Sequence, residues 1–314
     1  AFAISHYYYD ENGNYIYRGN INRTIKCNAK IPPTIVNNVF HCNYLTLEVP
    51  FESIPDYKAV EAWTTMEDGS ITYKSKEIDG IYYLPTSKAE VEVTFKDKNY
   101  NSYNSDVVIP TEITVDNIKY NVTSIGERAF YNCNNLNGKL SLPSNITSIG
   151  EYAFSGTKYS ICEIAATTPP AISSSSLSAE TSLVLVPTGT PNAYKAADVW
   201  KNYTIIAEGS CDIEVTNATG GELAKSILTQ TRKNLQNITG LKVKGTLNSI
   251  DLELINTNMS SLLHLDITET DVTEIPAEAF KDVVTLMSVK LPSSLQTIGD
   301  YAFSGCKVLS GELI

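Results

Sequence analysis

LPSNITSIGEYAFSG at 142–156 and LPSSLQTIGDYAFSG at 291–305 agree at ten of 15 positions without a gap. A chain of ordinary composition does not repeat itself this closely by chance, so the molecule is built from a recurring unit. Two shorter copies stand nearby: VTSIGERAFYNC from Val122 and VTEIPAEAF from Val272. The motif phenylalanines fall 24 residues apart at Phe130 and Phe154, and 23 apart at Phe280 and Phe303. Within one unit, Leu140 and Leu142 alternate with Lys139 and Ser141, and Val289 and Leu291 with Ser288 and Lys290. That is the period of a strand with one buried face. Pro143 and Pro292 end the strand because proline has no N–H to give a ladder. Ile149 with Phe154, and Ile298 with Phe303, then return toward the same core, and Gly150 and Gly299 are expected to turn the chain between them. One coil cannot cover its own apolar edge, whereas stacked coils cover each other's.

A period of 23–24 lies in the range of leucine-rich repeats. The expected fold is a leucine-rich-repeat solenoid, a β-rich α/β right-handed superhelix in successive blocks with helical caps and β-hairpin segments. Phe130 should stack on Phe154, and Phe280 on Phe303. A second, longer repeat relates residues 32–63 to 169–200 at a constant offset of 137, with nine of 32 positions identical. It includes Pro32-Pro33 and Pro169-Pro170, Tyr57-Lys58-Ala59 and Tyr194-Lys195-Ala196, and Trp63 and Trp200. Each copy reads as a short strand leading to an aromatic helix, at 54–63 and 191–201. Tyr57, Val60 and Trp63 share one side, as do Tyr194, Ala197 and Trp200. Thr190 before Pro191 is a helix start. Amphipathic helices of this kind are expected to cover the open end of an array.

These landmarks divide the chain. Residues 1–66 form an N-terminal β hairpin, signalled by Asn12-Gly13 between tyrosine-rich runs, and a first cap unit. Residues 67–208 hold a β-hairpin entry with turns at Asp79-Gly80 and Asp116-Asn117, then repeats and a second cap. Glu208-Gly209-Ser210 makes the junction. Residues 209–314 begin with a helix presenting Leu223, Ile227 and Leu228 on one face, followed by strand-like LKVKGTL, helical SIDLELI and strand-like LLHLDIT. After Cys306, Leu309, Gly311 and Leu313 correspond to Leu136, Gly138 and Leu140 after Cys133, so the sequence stops inside a repeat strand, which implies an array that continues.

The 314 residues carry 35 acidic and 24 basic side chains, a net charge of −11. That sign argues against nucleic acid or anionic lipid as main partner, since both need a Lys/Arg surplus. No apolar run approaches a membrane span, and the first residues lack the pattern of a signal peptide. The six cysteines, Cys27, Cys42, Cys133, Cys162, Cys211 and Cys306, form no CxxC pair, which weighs against zinc. Their even number is compatible with disulfides in an exported protein. Because Cys133 and Cys306 occupy the same repeat position, reduced buried thiols are the preferred reading.

SIGERAFYNC and TIGDYAFSGC closely resemble the BspA-type leucine-rich repeats of bacterial surface proteins. SIGEYAFSG resembles them without the cysteine, and EIPAEAF without the glycine. TTPPAISS through VPTGTPNAYKAADVW is similar to the unit that follows such arrays. The resemblance covers most of 107–314 and, through the cap unit, 28–66. It implies an exported protein of the bacterial cell surface, some relatives being implicated in adhesion to host matrix proteins or other cells.

The three histidines, His6, His41 and His264, make no metal-ligand spacing, and neither HExxH, GxSxG, a Walker loop nor a dinucleotide fingerprint occurs. Glu127 and Glu151 recur just ahead of the Ala-Phe pair and read as a solvated edge. No catalytic residue, cofactor or metal is therefore assigned. The 19 tyrosines suit either a stacking or interface surface or repeat packing. Strand positions facing away from the core are where such arrays bind partners. Lys139, Ser141, Lys242, Lys244, His264, Asp266, Ser288 and Lys290 are the candidates for contact with a protein, such as a host matrix protein, or a glycan. A passive spacer displaying other domains of a longer surface protein is the alternative, and an enzyme the third.

Overall fold

A computed structural model describes residues 7–9, 15–17, 22–35, 44–66, 69–97, 99–104, 107–207 and 211–310. The Asn12-Gly13 turn, the 208–210 junction, His6, His41, Cys42, Gly311 and Leu313 lie outside them.

The chain has a leucine-rich-repeat fold dominated by parallel sheet. In the middle of the chain Asn137–Leu142, Lys158–Ile164, Leu183–Val186 and Thr204–Ala207 lie side by side in parallel. Leu140, Cys162, Val184 and Ile205 are successive partners across that sheet and point into one core. A matching sheet near the C-terminus joins Asp212–Asn217, Gly240–Gly245, His264–Thr270 and Ser288–Lys290, with Leu241, Leu265 and Val289 in register. On the return path of each coil a two-residue segment ending in isoleucine makes a second, short parallel ladder: Ile125, Ile149 and Ile172 in one place, Ile275 and Ile298 in the other. The motif rings stack between coils as the spacing predicts. Phe130 lies 5.1 Å from Phe154 with the planes 7° apart, and Phe280 lies 5.3 Å from Phe303 at 14°. Three of the four are fully buried; Phe303, on the last described coil, is half-buried. Cys133 and Cys306 are free thiols in equivalent places, the first buried and the second half-buried.

The tight corner of each coil is made differently from the expectation. Gly150 and Gly299 do not turn the chain. The left-handed positions are the residue before Ala-Phe and the second residue after it. They are Arg128, Tyr152, Glu278 and Tyr301 in the first case, and Asn132, Gly156, Asp282 and Gly305 in the second. Gly150 is required for another reason: a Cβ there would stand 2.6 Å from the Glu127 backbone nitrogen of the preceding coil, and Gly299 meets Ala277 in the same way. Pro276 replaces this glycine in EIPAEAF at the strand that begins its ladder, where no earlier motif coil presses on it.

The two units related by the offset of 137 superpose in their chemistry. Tyr57 donates to the Ala29 carbonyl at 2.9 Å and Tyr194 to Ala166 at 2.8 Å. The indole of Trp63 donates to Pro33 at 2.9 Å and that of Trp200 to Pro170 at 2.7 Å. In each pair the Tyr and Trp rings meet edge-on at 5.1 and 5.5 Å. Neither aromatic segment is one helix, however. The α-helices are Ile54–Lys58 and Pro191–Ala196, and separate 3-10 turns, Glu61–Trp63 and Trp200–Asn202, carry the tryptophans. Val60 is extended and Val199 left-handed, and these breaks fold each indole back onto its proline carbonyl.

The hairpins at Lys76–Ile78 with Ile81–Pro85 and Glu112–Val115 with Ile118–Ile125 are present. Positive φ at Asp79-Gly80 and Asp116-Asn117 gives the twist that two-residue turns need. Two strands of this stretch also pair in parallel: Gly69–Tyr73 with Tyr44–Glu48, and Glu90–Thr94 with Ile118–Ile125. Further on, helix Leu223–Thr231 buries Leu223 and Ile227 but leaves Leu228 exposed, since five residues of helix rotate it off the buried face. The buried Asp251 opens helix Ser249–Asn258 and accepts from the Gly221, Leu223 and Asn248 amides at 2.7, 2.9 and 3.1 Å.

Candidate binding surface

Strand alternation sends every second side chain out of the sheets, and there the eight candidate residues fall into two separate groups. Lys139 and Ser141 sit on the first strand of the middle sheet, where both reach Glu163 of the next strand: the ammonium at 3.1 Å and the hydroxyl, donating, at 2.9 Å. They line a groove of about 900 Å³ at the C-terminal ends of the strands, with Val108, Pro143, Leu185 and Pro187. Val108, 83% exposed, forms its apolar rim.

The apolar outward positions of the middle sheet are covered. Ile161, Leu183, Leu185 and Ile206 are buried against Leu263, Met287 and Val308, the first two of which directly precede strands of the C-terminal sheet. The middle sheet therefore offers half of its outer face, and the rest is an apolar contact within the chain.

The other six candidates share the outer face of the C-terminal sheet and largely answer one another. Lys242 lies 2.6 Å from Glu269 and 3.7 Å from Glu214; Lys244 lies 2.7 Å from Glu214 and 3.5 Å from Glu269. Hydrogen bonding to Glu269 raises the pKa of Lys242, bonding to Glu214 raises that of Lys244, and bonding to Lys242 lowers that of Glu269. His264 Nδ1 and the Ser288 hydroxyl are 2.8 Å apart. Lys290 lies 3.8 Å from Asp266. Burial pushes Asp266 upward, but the Thr268 hydroxyl and amide and Lys290 outweigh it and hold the carboxyl below its usual value. Exposed pairs of this kind add little stability; their effect is to neutralise the face.

Glu163, Leu185 and Val108 in the groove, and Glu214 and Glu269 in the charge ladder, were not among the sequence candidates. The coil at 158–164 lacks the SIG-x-x-AF motif, so the repeat spacing did not flag KYSICEI as a neighbour of KLSLP. Among the described residues, no helix is long and apolar enough to cross a membrane, and no group of three or more His, Cys, Asp or Glu side chains is placed to hold a metal ion.

Comparison with known proteins finds similarity to a leucine-rich cell surface protein of Faecalibacterium prausnitzii A2-165 (16% identity, 76% of this chain and 53% of that one, TM-score 0.26). A leucine-rich repeat protein of Bacteroides ovatus ATCC 8483 is similar at 17% identity, over 75% of this chain and 93% of that one, with a TM-score of 0.22. The pneumococcal vaccine antigen PcpA is similar at 15%, over 77% and 70%, with a TM-score of 0.25. The chain thus spans about half the length of the Faecalibacterium protein. No curated protein sequence matches it. The model of the BspA type leucine rich repeat region matches in six copies over residues 108–190 and 210–312, more than half of the chain, and the chain belongs to that family.

Proposed function

We propose that the chain is a non-enzymatic part of a bacterial cell-surface protein, located outside the cell, which captures a protein or glycan partner in adhesion. In this reading it is a right-handed solenoid in three blocks, 1–66, 67–208 and 209–314, with the aromatic units and the helix at 223–231 closing array ends. The groove beside Lys139, Ser141 and Glu163 carries the reading. It is concave, its rim is apolar, and its floor holds a few convergent polar groups, which is the make-up of recognition sites. Lys242, Lys244, His264, Asp266, Ser288 and Lys290 form a secondary, charge-balanced surface.

The test is binding of the immobilised chain to a panel of matrix proteins and glycans, repeated with Ser141→Trp, which fills the groove. Weakened capture of a panel member by the variant supports the groove. Equal capture by both chains removes the groove from the function. The alternative, a spacer holding other domains away from the surface, is favoured by the apolar contact of Leu183 and Leu185 with Leu263 and Val308, because it stiffens the chain. Failure of every panel member to bind favours that spacer.

A further inference from the structure

A second cavity, of about 470 Å³, lies between the paired strands Tyr44–Glu48 and Gly69–Tyr73 and the paired strands Ile81–Pro85 and Glu90–Thr94. Its size falls within the about 300–1,000 Å³ of small-ligand sites. Apolar walls come from Ile71 and Tyr73 on one side and Leu84 and Phe95 on the other. The two sides are held together by the edge-on packing of Phe51 on Tyr120 at 5.5 Å and the ion pair of Lys88 with Asp56.

One side chain there has no structural explanation. Glu92 alternates with Val91 and Val93, which point into the core, so its carboxylate faces the cavity. It forms no hydrogen bond or ion pair with any described residue, and burial raises its pKa, with Lys58 acting weakly in the opposite direction. Gly126 leaves room beside it, since a Cβ there would stand 3.2 Å from the Glu92 Oε2. A half-buried acceptor without a donor costs free energy, and such groups mark sites where a ligand supplies the missing partner.

Three ammonium groups, of Lys58, Lys74 and Lys96, and two further carboxylates, of Asp97 and Glu127, line the same cavity, and Lys74 is held by Glu48 at 3.1 Å. With the two signs present in equal number, the lining favours neither a cationic nor an anionic ligand. The remaining class is a neutral polyol. Its hydroxyls donate to the carboxylate and accept from the ammonium groups, while its C–H face packs on the apolar walls. We propose that the cavity around Glu92 binds a neutral hexose unit of a glycan. This deepens the proposed binding function and rests on it, but places the sugar apart from the middle-sheet groove.

The experiment is saturation-transfer NMR on the full chain with glucose, galactose, mannose and N-acetylglucosamine as probes, followed by titration of any that bind. At least one binds, about ten-fold more weakly to Glu92→Gln, as loss of a charge-assisted hydrogen bond requires. It is also lost in Ser75→Trp, which fills the cavity from its rim and leaves Glu92 in place. Matched circular dichroism, with melting of each variant no lower than the parent's, separates binding from folding. No transfer to any hexose overturns the site, and so does a titration unchanged in both variants. Binding of Nα-acetyl-lysine methylamide through Glu92 in place of sugars makes it a cation site and overturns the class. Hexose binding lost in Ser141→Trp but kept in Glu92→Gln moves the sugar to the middle groove, which overturns this site and leaves the proposed function standing.

Discussion

Trp200→Ala probes the aromatic unit most directly. The indole is 1% exposed, meets Tyr194 edge-on at 5.5 Å and Tyr203 at 6.1 Å, and donates to the Pro170 carbonyl at 2.7 Å. Truncating a buried tryptophan costs about 3–5 kcal/mol. The Pro170 carbonyl, left without its donor, adds about 1 kcal/mol. Trp200→Phe keeps most of the apolar area and should lose only about 1–2 kcal/mol, so the pair of variants separates packing from the hydrogen bond. Urea unfolding of the full chain gives the total, and hydrogen exchange by mass spectrometry locates it. Protection should fall in Lys158–Ile164, Leu183–Val186 and Thr204–Ala207, whose inward residues share a core with Trp200, and hold in Tyr44–Glu48, which has its own tryptophan, Trp63. A loss below about 1 kcal/mol from Trp200→Ala, far short of the cost of emptying a buried indole site, or equal exchange in both sheets, would refute the assignment of the unit as the closing piece of the middle array.

Asp251→Ala strands three amides of two helix starts and should cost about 3 kcal/mol or more in urea titration; a change within experimental error would mean that water replaces the carboxylate. At the two left-handed positions of one coil, opposite outcomes are expected: Gly305→Ala, at φ +79 and against Asp282, destabilises by about 1–2 kcal/mol, whereas exposed Tyr301→Gly, at φ +59, is neutral or slightly stabilising in thermal melts. Leu183→Asp places a charge in the fully buried contact with the C-terminal sheet and should split one cooperative transition into two by calorimetry; a single, merely shifted transition would show that the contact does not couple the sheets. Because burial raises the pKa of Glu92 in the folded chain, folding takes up protons there, so its contribution is fully present below the ordinary carboxylate pKa and is lost as pH rises through the raised value. Glu92→Gln should therefore be more stable than the parent at neutral pH and equal to it near pH 4, about the ordinary carboxylate value; the reverse order would mean that the carboxylate is stabilised as the anion.

The coil was legible because its apolar positions recur at fixed spacing and each has one environment, as Phe130, Phe154, Phe280 and Phe303 show. The aromatic units were legible through the offset of 137, which reached as far as Pro170, the carbonyl partner of Trp200. The corner was misread because glycine signals two different needs, positive φ and close approach, and sequence alone does not separate them at Gly150. The helix breaks at Val60 and Val199 were hidden because a 3.6-residue pattern of Tyr and Trp survives when the chain bends to meet a distant carbonyl. One informative signal lay in Leu183–Val186: a run of four apolar residues without alternation denotes a strand buried on both faces, and this strand carries the contact between the two large sheets.

That contact reorganises the question of where a partner would bind. Outward-facing strand positions are the default surface of a repeat array, but here they divide by chemistry into three kinds. The apolar ones, Ile161, Leu183, Leu185 and Ile206, are used within the chain. The charged ones around Lys242 and Lys244 are neutralised by Glu214 and Glu269 one strand to either side, so an incoming charge would have to displace a partner already within reach, for little net gain. What remains is the groove beside Lys139, whose apolar rim at Val108 is uncovered, and the cavity at Glu92, whose carboxylate lacks a donor among the described residues. Both proposed sites thus stand where apolar surface or a carboxylate has been left without a partner, and they lie in different parts of the chain.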